Sequence, residues 1–113
     1  MKYSVETRDD ITLIILKGSL EGGEDTFAIK DEVTKKLEEG GRKFIIDMEK
    51  TGFVNSTGIG VIVAIHTSVK DNGGQLKICN VSDKSRRAFV VTGVWSMFST
   101  YDSRDEAIGA FKG

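Results

Sequence analysis

Two hydrophobic periods alternate along this chain, and each change of period marks the boundary of an element. From Ile11 to Lys17 apolar residues fall on both faces of an extended chain, with Ile11, Leu13 and Ile15 on one side and Ile14 and Leu16 on the other. Apolar side chains on both faces mark an interior strand. A strand from Lys2 to Thr7 precedes it, and Asp9-Asp10 supplies the turn between them. From Glu24 to Glu39 the period lengthens. Ile29, Val33 and Leu37 recur while Lys30, Lys35 and Glu38 face outward, which predicts an amphipathic helix. Phe44 to Met48 reads as a short buried strand. A second helix runs from the Asn55–Gly60 segment to Lys70, where Asp71-Asn72-Gly73-Gly74 stops it. Gln75 to Cys79 is a strand. Ser82 caps a third helix that runs through Thr92, and Gly93 ends it in a left-handed cap. Met97 to Tyr101 reads as the last strand. Ser103-Arg104-Asp105-Glu106 has the capping-box pattern and opens a final helix to Phe111.

The predicted order is ββαβαβαβα, an α/β domain of about five strands and about four helices. Strands alternating with helices favour right-handed crossovers and a mainly parallel central sheet, which the opening hairpin makes mixed. The 113 residues suit a single domain, 1–113, and 39% hydrophobic with 29% charged residues is an ordinary globular balance. There is no internal repeat, low-complexity tract or proline, and the pairs Gly22-Gly23, Gly40-Gly41 and Gly73-Gly74 fall between the periodic segments.

Charge narrows the partners. The formal net charge is −1, and no basic cluster is longer than a pair, as at Lys35-Lys36 and Arg86-Arg87. Direct nucleic-acid binding needs a concentrated positive face, so it is not expected. The N-terminal Met-Lys-Tyr-Ser-Val-Glu has no signal-peptide pattern. The apolar run Ile59 to Ile65 is far shorter than the roughly 18 residues of a membrane helix, so membrane insertion is not expected. The single cysteine fits a reducing cytoplasm, the expected location.

The candidate chemistry lies in Asn55-Ser56-Thr57-Gly58-Ile59-Gly60, between a strand and a helix. Ser56 or Thr57 is placed to be the N-cap or a first-turn residue, with its hydroxyl beside unpaired N–H groups. Gly58 and Gly60 leave little bulk over that turn, so a partner could approach the backbone. The plain alternative is an ordinary cap with glycines that relieve packing. A phosphate-binding loop would require Gly-Lys-Ser/Thr, and no lysine follows here. Ile59, Val61, Ile62, Val63 and Ile65 cover more than half of the helix circumference. Either part of that surface is exposed for docking, or neighbouring helices bury both sides.

Phe53-Val54-Asn55-Ser56-Thr57-Gly58-Ile59-Gly60-Val61 resembles the signature of the STAS family, in particular bacterial anti-sigma factor antagonists: an aromatic or aliphatic pair, then Asp-Ser-Ser/Thr-Gly-Leu/Ile-Gly. Leu16-Lys17-Gly18-Ser19-Leu20-Glu21 is similar to the family's apolar-x-Gly-Glu-Leu-Asp turn. Arg86 to Val94 is similar to its basic-x-x-Phe-x-x-Ser/Thr-Gly-Leu helix end. The resemblance spans almost the whole chain and implies a partner-switching role. The unphosphorylated protein would bind an anti-sigma factor that is also a serine kinase, freeing a sigma factor. The kinase would phosphorylate Ser56, with Thr57 as runner-up, and a serine phosphatase would restore binding. Glu21, Asn55, Ser56, Thr57, Gly58, Ile59, Gly60 and Val61 are the implied partner-binding residues. Two positions depart from the pattern: Asn55 stands at the signature Asp and Glu21 at the early-turn Asp. Asn55 keeps the shape and removes a charge that could help the kinase orient the serine.

Other residues suggest no competing chemistry. His66 has no second His or nearby Cys, and reads as a boundary histidine rather than a metal ligand. Cys79 reads as a small buried hydrophobe with no base beside it. Trp95 and Phe98 read as core edge, and Glu24, Asp25, Asp31 and Glu32 as a solvated helix start. Three function classes are carried forward. They are an anti-sigma factor antagonist switched at Ser56, a STAS scaffold in a larger signalling complex with weak or no phosphorylation, and an enzyme or nucleotide-binding domain. No catalytic constellation converges, so enzymatic activity, a metal and a cofactor are not expected, and the free chain is expected to be a monomer.

Overall fold

The computed structural model describes residues 2–112. The elements are β1 (Lys2–Arg8), β2 (Ile11–Leu20), α1 (Glu24–Glu38), β3 (Lys43–Val54), α2 (Ser56–Asp71), β4 (Gln75–Cys79), α3 (Asp83–Val91), a 3-10 turn at Trp95–Met97, β5 (Ser99–Tyr101) and α4 (Arg104–Lys112). The strands lie side by side in chain order. β1 is antiparallel to β2 and every later pairing is parallel. This is the predicted α/β order with a mixed, mainly parallel sheet.

Alternation along the interior strands divides the core. Ile14, Leu16, Phe44, Ile46, Leu76 and Ile78 face α1, α2 and α3, whose Ile29, Val33, Leu37, Ile62, Ile65, Val69 and Phe89 pack against them. Ile11, Leu13, Ile45 and Cys79 face the other way, onto Ala107 and Ile108 of α4. The apolar surface of α2 is thereby accounted for. Ile59, Val61, Ile62, Ile65 and Val69 are all buried, and Val63 is partly buried against the same core. Full burial of such a side chain contributes about 1.5–3 kcal/mol, so these residues are structural rather than a spare docking face.

Three strands differ from their predicted extents by more than one residue, β2 ending at Leu20 rather than Lys17. β3 runs on to Val54 rather than stopping at Met48, because β2 continues to Leu20 beside it, through register shifts between Ile15 and Lys17 and between Gly18 and Leu20. The extension is mostly solvent-facing, so no apolar period marks it. β5 is shorter than predicted: Met97 belongs to the 3-10 turn, closed by the Met97 N–H donating to the Val94 carbonyl at 3.1 Å. Several boundaries are as predicted. The Ser82 hydroxyl accepts from the Ser85 N–H at 3.1 Å, and Gly93 takes φ +78° after α3. At α4, Ser103 Oγ accepts from the Glu106 N–H at 3.1 Å, but Glu106 returns its bond to the Asp102 N–H at 3.2 Å, one residue earlier than the usual box.

One buried charge fixes α4 to the sheet. Asp47, 1% exposed on β3, accepts from Arg104 Nε and Nη2 at 2.9 Å each, from Asn80 Nδ2 at 3.0 Å and from the Glu49 N–H at 3.0 Å. Burial pushes its carboxyl pKa up, but those hydrogen bonds and the Arg104 charge outweigh burial and hold it below the ordinary value. Lys77 adds a second contact beneath α4. Its Nζ donates to the Tyr101 hydroxyl at 3.3 Å and lies 4.8 Å from the centroid of the Phe111 ring.

The folded pKa of Asp47 lies below its unfolded value, about 3.9, so its contribution to stability is complete above that pH and is lost as pH falls through the folded value. Arg104→Leu strands the buried carboxylate and is expected to lower stability near neutral pH by about 3 kcal/mol. Urea unfolding at a series of pH values is the check: the deficit should shrink as falling pH protonates the unpaired Asp47 of the variant, and be smallest below the lowered folded pKa of wild-type Asp47, where the carboxyl is protonated in both proteins.

Candidate functional site

The segment after β3 is positioned by the end of β2. The Asn55 N–H donates to the Leu20 carbonyl at 3.2 Å, and the Phe53 N–H donates to Ser19 Oγ at 3.2 Å. Asn55, not Ser56 or Thr57, is the N-cap of α2, with extended backbone at φ −99° and ψ 178°. Its Oδ1 accepts from the Gly58 N–H at 2.9 Å, its carbonyl accepts from the Ile59 N–H at 3.0 Å, and its Nδ2 donates to the Glu21 carbonyl at 3.1 Å. The last bond is one that an aspartate could not make, because a carboxylate accepts only. A single amide therefore caps α2 and ties it to the loop after β2.

With Asn55 as cap, Ser56 is the first helical residue. It is exposed, and its hydroxyl has no hydrogen-bond partner among the described residues. Thr57 is also exposed, but it is packed: a Cβ on Gly22, which has φ +95°, would lie 2.5 Å from the Thr57 methyl carbon. The N–H groups of Ser56 and Thr57 precede the first intrahelical bond, made by Ile59. α2 carries no acidic residue in its first turn, whereas α1, α3 and α4 each do. The positive end of the α2 dipole is thus unneutralised by its own side chains, beside a free hydroxyl.

The two glycines of the segment have different tasks. A Cβ on Gly58 would collide with the Leu20 carbonyl, whereas one on Gly60 would meet nothing within 4 Å. Gly58 allows the helix to close on β2; Gly60 is open surface. Gly58, Ile59 and Val61 are buried, at 3% and 6% exposure for the last two, which corrects their assignment as partner contacts. Glu21, Ser56, Thr57 and Gly60 are exposed and Asn55 is half-buried.

Phe53 belongs to this surface although the sequence did not single it out as a contact. It is 46% exposed, and Lys84 Nζ from α3 lies 5.4 Å from its ring centroid. Only its place two residues before the cap could have signalled this. His66 lies farther along α2, with its ring edge-on to Phe98 at 5.3 Å, and burial holds its pKa below the ordinary value, helped by Lys70. Cys79 is buried, and burial followed by the Asp47 charge pushes its thiol up to about 12, which disarms it as a nucleophile. Among the described residues no group of three or more His, Cys, Asp or Glu could hold a metal ion, and no helix is long and apolar enough to cross a membrane.

Asn55→Ala removes the cap and the Glu21 bond and is expected to lower stability by about 1–2 kcal/mol. Asn55→Asp should lose less, because a carboxylate still accepts from Gly58. Gly58→Ala is expected to destabilise by about 1–3 kcal/mol through overpacking, and Gly60→Ala to stabilise by up to about 1 kcal/mol through helix propensity. Urea denaturation of the four variants measures all of these.

Comparison with known proteins places this geometry. BtrV of Bordetella bronchiseptica, a candidate anti-sigma factor antagonist, is 23% identical over 112 residues, covering 99% of this chain and 96% of that protein. The anti-sigma-B factor antagonist of Staphylococcus aureus is 30% identical over 77 residues, covering 65% of this chain and 71% of that protein. The anti-sigma factor antagonist SpoIIAA in its unphosphorylated form superimposes with a TM-score of 0.83 at 20% identity, covering 98% of this chain and 96% of that one. SpoIIAA of Bacillus has also been solved in its phosphorylated form, with a TM-score of 0.76 at 20% identity over 96% of this chain and 98% of that one. A family model described as the STAS domain matches residues 2–107, and the chain belongs to that family.

Proposed function

We propose that this chain is an anti-sigma factor antagonist switched by phosphorylation at Ser56. The observation that carries the reading is the exposed, unbonded Ser56 hydroxyl on the first turn of a helix whose amino end has free N–H groups and no acidic residue. In its unphosphorylated state the chain binds an anti-sigma factor that is also a serine kinase, through Glu21, Asn55, Ser56, Thr57, Gly60 and the adjoining Phe53. The kinase transfers the γ-phosphoryl group of ATP to Ser56 Oγ, with release of ADP and a proton, and a serine phosphatase hydrolyses the ester. The chain itself performs no catalytic step. Likeness to proteins named as anti-sigma antagonists supports the reading, as does the existence of SpoIIAA in phosphorylated and unphosphorylated forms.

The physics assigns the effect to the interface. A phosphoserine carries about −1.5 to −2 charges, which a helix amino end accommodates. The fold is therefore kept, while bulk and charge are placed where a partner must approach. Thr57 is the poorer acceptor, because its side chain is packed on Gly22.

Incubation with the cognate kinase and ATP is expected to add one phosphate by intact-mass analysis. Ser56→Ala should abolish it, and Thr57→Ala should leave it. The modified protein should keep its urea midpoint within about 0.5 kcal/mol of the unmodified one while binding the kinase at least about a hundredfold more weakly. A phosphate that persists in Ser56→Ala would sink the assignment.

A further inference from the structure

A separate crevice opens at the same end of the sheet, two strands away from β2. The chain leaves β2, β3 and β4 toward the face carrying α1, α2 and α3, and leaves β5 toward the face carrying α4. Where neighbouring strands send their helices to opposite faces, a crevice forms outside their carboxyl ends, and open α/β sheets bind ligands there. In this chain that point lies between β4 and β5. A cavity of 290 Å³ occupies it, with Val81, Asp83, Arg86, Trp95, Tyr101 and Asp102 among its lining residues.

Its floor is built. Asn80 turns the chain out of β4 at φ +58°, its N–H donates to the Tyr101 carbonyl at 3.1 Å, and its side chain donates to buried Asp47 at 3.0 Å. The charges above that floor are unspent. Asp83, Arg86 and Asp102 form no side-chain hydrogen bond or ion pair with any described residue. Arg86 instead stacks over Trp95, with its guanidinium carbon 5.6 Å from the ring centroid. That cation–π contact uses the face of the guanidinium and leaves its N–H fork free for a carboxylate.

We propose that this crevice binds a small zwitterion of the α-amino acid class. The ligand carboxylate pairs with Arg86, its ammonium with Asp83 and Asp102, and an apolar or aromatic side chain lies against Val81 and Trp95. A simple anion would face two carboxylates, and a simple cation would face the guanidinium. A zwitterion answers both. The volume is at the small end of ligand pockets, about 300–1,000 Å³, which suits an amino acid better than a nucleotide. The site does not depend on the role of Ser56.

The one tryptophan of the chain lies in this crevice and reports on it directly. Titration of the full chain with L-leucine or L-phenylalanine is expected to change Trp95 fluorescence saturably, with amide NMR shifts confined to residues 80–86, 95 and 100–102. The Ser56→Ala variant should respond equally. Arg86→Gln and Asp102→Asn, both at exposed positions, should each weaken binding by about tenfold or more. 3-Methylbutylamine and 4-methylpentanoate, which keep the leucine skeleton and lack one charge each, should bind wild type at least about tenfold more weakly than leucine. The proposal is overturned by no saturable response to either amino acid up to about 10 mM. It is equally overturned by equal affinity for the single-charge analogues, or by tighter binding of ATP in the same crevice.

Discussion

The functional end of this molecule depends on how closely the first turn of α2 seats against the end of β2. Gly58 lies where any Cβ would overlap the Leu20 carbonyl, and that carbonyl accepts from the Asn55 N–H. The Asn55 amide then bonds the helix on one side and the Glu21 carbonyl on the other. Each contact is modest, about 1 kcal/mol, but they share one rigid junction between a buried strand and a buried helix. The position of Ser56 follows from that junction. Its side chain need not bond to anything to be held in place, and so its hydroxyl is left free.

The same junction changes the meaning of Asn55 in place of the family's aspartate. Read as sequence, the substitution is a lost charge beside the proposed phosphoacceptor. In the structure it is a gained donor, because the amide reaches the Glu21 carbonyl that a carboxylate would repel. It also leaves the amino end of α2 without a competing negative charge. A phosphate at Ser56 would then meet the full helix-end potential rather than a neighbouring carboxylate. Any acidic signal to a kinase would have to come from the loop after β2 and the start of α1, where Glu21 and Glu24 are exposed.

The layered core was legible because its signals are periodic. Ile29, Val33 and Leu37 mark α1, and the alternation in β2 assigns its residues to two faces, both of which the structure buries. Caps with local chemistry, Ser82 and Ser103, were legible for the same reason. What was hidden rests on pairing between distant residues. The tail of β3 has no apolar period and exists because β2 continues beside it. Asp47 and Arg104 are 57 residues apart, and nothing local pairs them until α4 crosses β3. At the site the serine is readable from the motif, with Ser56 or Thr57 as cap or first-turn residue; the structure makes Ser56 the first helical residue and gives the cap to Asn55. Both residues are good caps, and the choice was made by the Leu20 and Glu21 carbonyls, contacts that local sequence does not contain.

Helix α3 stands between the Ser56 surface and the crevice at β5. It has nine residues, of which only Ser85 and Phe89 are buried, so it is held by fewer packing contacts than α1 or α2. From its first turns Lys84 reaches the ring of Phe53 on one side and Arg86 the ring of Trp95 on the other. Both contacts are surface cation–π interactions, of about 0.5–1 kcal/mol, and each is small enough to be exchanged for a ligand or a partner. A group that drew Arg86 toward a bound carboxylate would act on the same short helix that places Lys84 over Phe53. If that displacement changes the partner surface, the coupling must run equally in reverse, with partner binding at Ser56 altering affinity in the crevice by the same factor.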